Sequence, residues 1–364
     1  MKISRLIVLF FLIACSDDDA VTGVTSFQCN QSVEPRDGRL LGMDILDETN
    51  TSDFSNNYNL AKEAGINFIH LHLPWTSIET APNEFEDPGN ALTTLNNFVD
   101  QEQIKLNLTL RPIDLTGKTV PADLENVRFN SAVMIERFTA LLDFVFSKFD
   151  HANLTNVQIG NEIDGYDTSN EPASFWSDYG EFLFSVNTYL DQNYPGLKMG
   201  FTGTFEGMTS GNLHDLGIFN ALADVVDIVG VTYYPQDQNF QVHSPETPIA
   251  DMDLLAEEFA GHTVYLQEVG YQTSDVNHSS EQKQAAFICN MFLAWDMHKD
   301  QFPLMLWVRL NDISQTKAQD LAGPYGLDSE PFIEFLRTLG LQTTSGELKE
   351  GYNIFTEETT ERGW

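Results

Sequence analysis

The sequence predicts an α/β protein with a (β/α)8 TIM-barrel fold, and three observations support this prediction. Short β-rich segments alternate with amphipathic helical segments from about residue 38 onward, which is typical of βα units repeated around a parallel sheet. The β-rich segments number eight, the count at which such a sheet closes into a barrel. The chain has 364 residues, 42% of them hydrophobic, which is enough for one such domain.

The predicted strands cover residues 40–46, 66–75, 104–114, 156–164, 198–205, 228–235, 263–271 and 304–312. Apolar residues at helical spacing are clearest in the segments 132–149 and 282–297, whose apolar faces would cover the barrel. An open doubly wound sheet would carry a glycine-rich turn after its first strand, and Gly42-Met43-Asp44 does not have that pattern.

Side-chain alternation indicates which polar residues face the barrel lumen. In the third predicted strand leucines alternate with polar residues, which places Arg111 in the lumen at the carboxyl end. The second strand places His70 and His72 on its lumen side, as in metal-dependent hydrolases that begin their site with His-x-His. Segments 199–205 and 229–234 offer no His, Lys or Asp as further ligands. We therefore predict neither a metal nor another cofactor.

Two glutamates lie at the carboxyl ends of predicted strands, where the active sites of such barrels are built. Glu162 ends the fourth strand and Glu268 lies near the end of the seventh. Strands four and seven are three steps apart in a ring of eight, so the two carboxyls would face each other across the mouth. Retaining glycosidases need carboxyls about 5 to 5.5 Å apart. The alternative for each glutamate is a solvated or helix-capping carboxylate.

Asn161-Glu162 on strand four together with Glu268 on strand seven resembles clan A of the glycoside hydrolases. The resemblance covers roughly residues 38–340. It implies that Glu162 is the acid/base and Glu268 the nucleophile of a retaining mechanism. It also implies that Asn161 bonds the substrate 2-hydroxyl and that a strand-six aromatic residue, Tyr233 or Tyr234, orients the nucleophile.

Four other residues are candidates for substrate binding. The same resemblance implies that Trp307 on strand eight is a platform for the sugar. Trp75 and His72 would line the cleft, and Trp75 would offer a second stacking surface. Arg111 would keep the nucleophile ionised or contact a hydroxyl. A structural ion pair with Asp44 or Asp114 is the alternative for that arginine.

Three segments are similar to endo-β-1,4-galactanases, namely 42–44, 228–235 and 268–271. His70-x-His72 departs from the Arg-x-Arg pattern of that family, so a β-glucan or β-mannan remains open. We predict an endo-acting enzyme that cleaves a β-linked neutral polysaccharide or oligosaccharide. The alternatives are an exo-acting β-glycosidase and a non-catalytic surface glycan-binding lipoprotein, which would lose one carboxylate.

The amino-terminal segment resembles a bacterial lipoprotein signal. Lys2 and Arg5 precede a short apolar run that ends in Leu-Ile-Ala-Cys at residues 12–15. This pattern predicts cleavage after residue 14 and lipidation of Cys15. The acidic residues that follow resemble the surface-export signals of Bacteroidetes lipoproteins. We therefore expect an outer-membrane lipoprotein, at the cell surface or on the periplasmic face, that contacts the membrane only through its lipid.

This interpretation divides the chain into a signal peptide (1–14), an acidic linker (15–37), a catalytic barrel (38–340) and a peripheral tail (341–364). An amphipathic helix over 331–339 would close the barrel.

The net charge of −35 disfavours nucleic acid and anionic membranes as partners. It also favours a neutral glycan. We expect a monomer, in which Cys29 and Cys289 form either a disulfide or two buried thiols.

Overall fold

The computed structural model describes residues 29, 33–45, 54–115, 117–211 and 214–364. The predicted signal peptide, the lipidation site Cys15 and most of the predicted linker lie outside the described residues. Among the residues that are described, no helix combines the length and the apolar character needed to cross a membrane.

Eight parallel strands form a closed barrel, as the sequence predicts. They are β1 (Leu40–Met43), β2 (Phe68–Pro74), β3 (Lys105–Asp114), β4 (Leu154–Asn161), β5 (Met199–Thr204), β6 (Ile228–Tyr233), β7 (Thr263–Val269) and β8 (Leu304–Trp307). Strand β1 pairs with both β2 and β8, and this pairing closes the ring. Each strand lies within or overlaps its predicted segment.

One long helix follows each strand. These helices are α1 (Phe54–Glu63), α2 (Ala91–Glu102), α3 (Ala132–Lys148), α4 (Phe175–Asn193), α5 (Leu216–Ala223), α6 (Pro248–Glu258), α7 (Glu281–Met297) and α8 (Glu350–Arg362). Four further helices, none longer than α5, extend the loops: Trp75–Ile78, Phe205–Ser210, Gln315–Ala322 and Glu330–Arg337. A two-stranded hairpin (Glu79–Ala81 and Glu84–Phe85) and the short strand Gly117–Lys118 complete the extended segments.

Strand alternation separates two layers of core. On β8, Met305 and Trp307 pack outward against the helices, whereas Leu304 and Leu306 join an inner cluster. The middle of the lumen is polar and fully buried. There the Asn107 side-chain amide donates to Asn156 Oδ1 at 3.1 Å and to Gln267 Oε1 at 2.9 Å. The lumen is therefore filled by side chains, and the candidate site lies at its open end.

The carboxyl-terminal segment corrects the prediction of a peripheral tail. Residues 350–362 form α8, the eighth barrel helix, which packs along α7 and buries Tyr352 and Phe355. Its polar composition is misleading, because the charges of Glu358 and Arg362 are paired with each other inside the protein. The helix Glu330–Arg337, which the sequence suggested as the closing element, instead lies at the rim.

The amino-terminal end of the described chain is tied to the barrel. Cys29 and Cys289 form a disulfide with their Cα atoms 5.7 Å apart, which decides between the two alternatives left open. The Arg36 amide donates to the Arg362 carbonyl, so the end of the predicted linker is packed against α8.

Candidate active site

A cavity of about 540 Å³ opens at the carboxyl end of the barrel strands. Each of the eight strands, or the residues directly after it, contributes a lining side chain. From β1 to β8 these include Asp44, His72, Arg111, Glu162, Thr204, Tyr234, Glu268 and Arg309. Both predicted catalytic glutamates therefore lie in the same cavity.

The end of β4 is bent so that Glu162 enters the cavity. Gly160 and Glu162 both adopt positive φ values, 89° and 44°. A Cβ atom on Gly160 would lie 2.6 Å from Ile163 Cγ2 and 2.7 Å from the Tyr179 hydroxyl, so only glycine fits there. The Thr232 hydroxyl on β6 donates to Glu162 Oε1 at 2.7 Å and holds the carboxyl in place.

Glu268 is held by a different set of groups. The Tyr234 hydroxyl donates to its Oε2 atom at 2.6 Å, and His72 Nε2 lies 3.6 Å from its Oε1 atom. The pairing of β7 with β6 shifts register between Leu266 and Glu268, which is a local irregularity directly before the carboxylate. Such irregularities at barrel rims commonly re-aim a side chain.

Burial raises the pKa of both carboxyls, but their neighbours make the pair unequal. The pKa of Glu162 lies well above its usual range because of burial and the nearby charge of Glu268. Burial also raises the pKa of Glu268, whereas the hydrogen bond from Tyr234 and the charge of Arg309 lower it. Glu162 therefore holds a proton more strongly than Glu268 does. This asymmetry is the one that an acid and a nucleophile require.

A pair of neutral imidazoles adjoins this site: His72 lies beside Glu268, and the His70 ring centre is 4.0 Å from that of His72. Burial, with the charge of Arg111, lowers the pKa of His70 to about 3, and burial lowers that of His72 well below its usual value. His70 Nε2 bonds the Thr109 hydroxyl at 2.9 Å, and His72 Nδ1 is buried without a hydrogen-bond partner in the described structure. No third ligand joins them, since the grouping of potential metal ligands found in the described ranges is Cys29, Cys289 and Glu358.

Asn161 and Arg111 line the cavity and share Asp114 as a partner. The Asn161 side-chain amide is 3.4 Å from Asp114 Oδ1, and Arg111 Nη1 is 2.9 Å from Asp114 Oδ2. The ion pair with Asp114 is one of the two alternatives that the sequence left for Arg111. Its charge acts on the two histidines, whereas Arg309 is the arginine that lowers the pKa of Glu268. Both Asn161 and Arg111 thus line the cavity, and their contacts with a substrate stay predictions.

Three predicted binding residues do not reach the cavity, and their side-chain directions explain why. Tyr233 is buried on the outer side of β6, where its hydroxyl donates to Asp251 at 2.6 Å. Trp307 points outward from β8 and packs against Phe287 and Phe355. Trp75 begins a short helix that turns its ring into the core. Tyr234, one residue beyond the end of β6, is the tyrosine that contacts Glu268.

Several residues that line the cavity were not predicted from the sequence. Thr232 precedes the tyrosine pair without a recognisable motif, and Arg309 lies beyond the last residue of β8, where strand alternation no longer applies. The loop after β8 also adds an apolar wall that includes Leu321, Tyr325, Phe332 and Phe335. The amphipathic pattern of that loop was the available signal, but it also fitted a helix that closes the barrel.

Several solved glycoside hydrolases are similar to this chain in overall fold, whereas no protein-family model and no curated protein matches it. An exo-β-1,4-mannosidase from Opitutaceae bacterium strain TAV5 is similar at a TM-score of 0.66 and 17% identity, over 89% of this chain and 59% of that one. This chain therefore shares its fold with solved glycoside hydrolases.

Two further solved structures agree. A GH5_18 protein from Streptomyces cattleya in complex with GlcNAc has a TM-score of 0.66 at 14% identity, over 91% of this chain and 81% of that one. A family 39 glycoside hydrolase from Bacteroides cellulosilyticus WH2 has a TM-score of 0.62 at 14% identity, over 90% and 65%. The chain thus spans less than two thirds of the mannosidase and of the family 39 protein. At these identities the likeness establishes the shared fold.

Proposed function

We propose that this protein is a retaining glycoside hydrolase that cleaves β-glycosidic bonds, with Glu162 as acid/base and Glu268 as nucleophile. The observation that carries the proposal is the pair of half-buried carboxyls in one cavity with unequal partners. Thr232 bonds Glu162, whereas Tyr234 and Arg309 favour the ionised form of Glu268.

The same pair accounts for both steps of double displacement. In the first step Glu268 attacks the anomeric carbon while Glu162 protonates the departing glycosidic oxygen. The charge of Glu268 is then consumed in the glycosyl ester. Because that charge contributes to the raised pKa of Glu162, its loss lowers the pKa of Glu162. In the second step Glu162 therefore accepts a proton from the water that hydrolyses the ester.

The cavity supports a short glycan or a chain end as substrate. Its volume of about 540 Å³ is within the range of sites for small ligands, and the apolar wall after β8 bounds one side. The structural neighbours include an exo-β-1,4-mannosidase and proteins in complex with Manβ1-4GlcNAc. These features favour exo action over the endo action suggested by the sequence. The expectation of a neutral glycan rests on the net charge alone.

The proposed setting is the cell envelope, with the protein anchored through a lipid on Cys15. Residues 12–15 carry this part of the proposal. The expected result is that a Cys15→Ser variant, expressed in a bacterial host, loses both lipid labelling and membrane association. Equal membrane association of the variant and the wild type would contradict the anchor.

Hydrolysis assays test the enzymatic proposal with aryl β-glycosides and β-linked glycans as substrates. We expect Glu268→Ala to lose activity on all of them. We expect Glu162→Ala to lose activity on glycans but to retain cleavage of aryl glycosides with good leaving groups. Azide should increase the rate, because it attacks the glycosyl ester in place of water without general-base help and releases a glycosyl azide. Glu84→Ala, an exposed hairpin residue, serves as the control.

The stereochemistry of the first product decides between the mechanisms. Proton NMR should show the β-anomer forming first, and a 2-fluoro glycoside should label Glu268 in peptide mass spectra. Initial formation of the α-anomer would contradict double displacement. Glycan binding without hydrolysis of any substrate would favour the alternative of a surface glycan-binding lipoprotein.

A further inference from the structure

We propose that Arg309 forms an anion-binding subsite beside Glu268, and that the sugar cleaved by this protein carries an oxyanion, as a uronic acid or a sulfated sugar does. This inference rests on the proposed function and adds the substrate class. It also departs from the expectation of a neutral glycan.

Arg309 differs from the other arginines in the described part of the chain. Six of those arginines lie within 4 Å of a carboxylate: Arg39, Arg111, Arg128, Arg137, Arg337 and Arg362. Arg36 is exposed to solvent. Arg309 is half-buried, lines the cavity and has no ion pair within the described ranges. Its Nε atom is buried and has no hydrogen-bond partner there either.

A shortage of carboxylates does not explain this difference, because the chain contains 54 acidic residues against 19 basic ones. A half-buried cation without a partner costs free energy, since water and protein together satisfy it poorly. The planar guanidinium presents its donors in a fork that matches a carboxylate or a sulfate. An anionic ligand in the cavity would therefore supply the negatively charged partner that Arg309 lacks among the described residues.

The neighbours of Arg309 place the anion on the glycone, the sugar whose anomeric carbon is attacked. Strands β7 and β8 are paired at this rim, where the Val308 amide donates to the Val269 carbonyl at 2.8 Å, so Arg309 and Glu268 lie on adjacent segments of one cavity wall. The charge of Arg309 also acts on Glu268, Tyr234 and His72. In a retaining mechanism the glycone lies over the nucleophile, while the leaving group lies beside the acid. A group bonded by Arg309 would thus belong to the sugar that forms the covalent intermediate.

The acidic surface does not exclude such a ligand. The net charge of −35 is spread over the whole molecule, and salt at physiological strength screens exposed charges beyond about 8 Å. Inside the cavity the second cation, Arg111, is paired with Asp114. Arg309 is therefore the described cavity cation whose donors are not taken by a carboxylate.

The competing explanation is that Arg309 acts only as a counter-ion that keeps Glu268 ionised. Such a role would affect every substrate equally, because it acts through the nucleophile. A subsite would instead affect anionic substrates more than neutral ones. The two explanations therefore differ in substrate dependence.

The test compares 4-nitrophenyl glycosides in pairs that differ only in the anion: β-D-glucuronide with β-D-glucoside, β-D-galacturonide with β-D-galactoside, β-D-mannuronide with β-D-mannoside, and 6-sulfated with unsulfated β-D-galactoside. We expect the wild type to prefer the anionic member of at least one pair in kcat/KM, and the preferred pair distinguishes carboxylate from sulfate. In Arg309→Gln the ratio of anionic to neutral kcat/KM should fall about 10- to 100-fold, as expected for a lost charge-assisted hydrogen bond.

Two further variants sharpen the assay. Arg309→Lys keeps the charge but not the fork, so its ratio should lie between those of the wild type and Arg309→Gln. Arg36→Gln removes the same charge from an exposed position outside the cavity and should keep the wild-type ratio. Preference for the neutral member in every pair would overturn the proposal. An equal loss on both members in Arg309→Gln, with the acidic limb of both pH profiles moved upward, would also overturn it.

Calorimetric binding separates failure of this proposal from failure of the proposed function. If no glycoside is hydrolysed, titration of the protein with D-glucuronate, D-galacturonate, D-mannuronate, galactose 6-sulfate and the matching neutral sugars still tests the subsite. Tighter binding of an anionic sugar, lost in Arg309→Gln at unchanged thermal stability, would support the subsite. No preference over the neutral sugars would reject it.

Discussion

Charged side chains have different partners at the two ends of the barrel. At the amino-terminal end, Asp296 accepts ion pairs from Arg39 and Arg362 at 2.8 Å each, and Arg362 also pairs with Glu358 at 2.7 Å. All four side chains are at most 3% exposed. The Arg39 guanidinium also lies 4.4 Å from the ring centre of Trp295. Here the protein's charges bind one another.

At the carboxyl-terminal end, charged groups of similar type point into a cavity. Glu162 and Glu268 repel each other and are stabilised by hydroxyl groups rather than by direct ion pairs with arginine or lysine. Arg309 has no carboxylate partner within the described ranges. The comparison teaches that buried charge is offset by ion pairs at one end of this barrel and lacks such partners at the other, where a substrate would supply the missing contacts.

Glu268→Gln should produce the largest effect and should separate activity from stability. We expect the rate of hydrolysis to fall on the order of 10⁴-fold or more, as for the loss of other nucleophiles. Burial raises the pKa of Glu268 to about 7 in the folded protein, above the value of about 4.3 in an unfolded chain. The carboxyl therefore costs stability as pH rises from about 4 to 7, and the amide avoids this cost.

Thermal unfolding at two pH values checks this sign. At pH 8 the variant should melt about 2 to 4 °C above the wild type for each kcal/mol recovered. The difference should vanish near pH 4, where the carboxyl is protonated in both states. A lower melting temperature at pH 8 would mean that Glu268 stabilises the fold, contrary to the comparison.

Asp296→Ala should have the next largest effect, on stability. The variant leaves Arg39 and Arg362 buried without their shared carboxylate, which we expect to lower the free energy of unfolding by about 3 to 5 kcal/mol. Urea denaturation measures this loss. Asp253→Ala is the control, because its carboxylate is exposed and pairs only with His298 among the described residues. The control should lose at most about 1 kcal/mol, and equal losses in the two variants would remove the contrast between the two ends.

Tyr234→Phe and Thr232→Val should have the smallest effects, on opposite limbs of the pH profile. Each hydroxyl lowers the pKa of the carboxyl that it bonds, so each substitution raises one pKa. Loss of Tyr234 should move the acidic limb, set by Glu268, upward by about one pH unit. Loss of Thr232 should move the alkaline limb, set by Glu162, upward by a similar amount.

Tyr233→Phe provides the matched control for the pH measurement. Its hydroxyl bonds Asp251 outside the cavity, so both limbs of kcat/KM against pH should keep their wild-type positions. A shift of the same limb in both tyrosine variants would show that the effect is not specific to the contact with Glu268.

Sequence periodicity was sufficient for the barrel because strand and helix patterns are local. Each strand needs only a short β-rich run, and eight such runs alternating with helices leave few other topologies. Glu162 and Glu268 were also identifiable, because each belongs to a strand whose carboxyl end must lie at the same rim. Alternation along β2 and β3 correctly placed His72 and Arg111 at the cavity.

The predictions failed where the regular strand ends. Counting along β8 suggested that Trp307 enters the site, but its ring packs among the helices and Arg309 lines the cavity instead. Trp75 lies where β2 gives way to a short helix, which changes its direction. The prediction of a peripheral tail over 341–364 is wrong because charges that are buried and paired in the structure look the same in sequence as exposed ones.

The sequence by itself determined the closed barrel, the end of the barrel that carries the site and the two glutamates, since these follow from short-range periodicity and strand order. Only the tertiary structure decided which charges are paired. Asp296 and Arg362 are 66 residues apart and meet, whereas Arg309 meets no carboxylate in the described ranges. Partners of this kind come from different elements, and their distances depend on how the whole barrel packs, which no local pattern encodes.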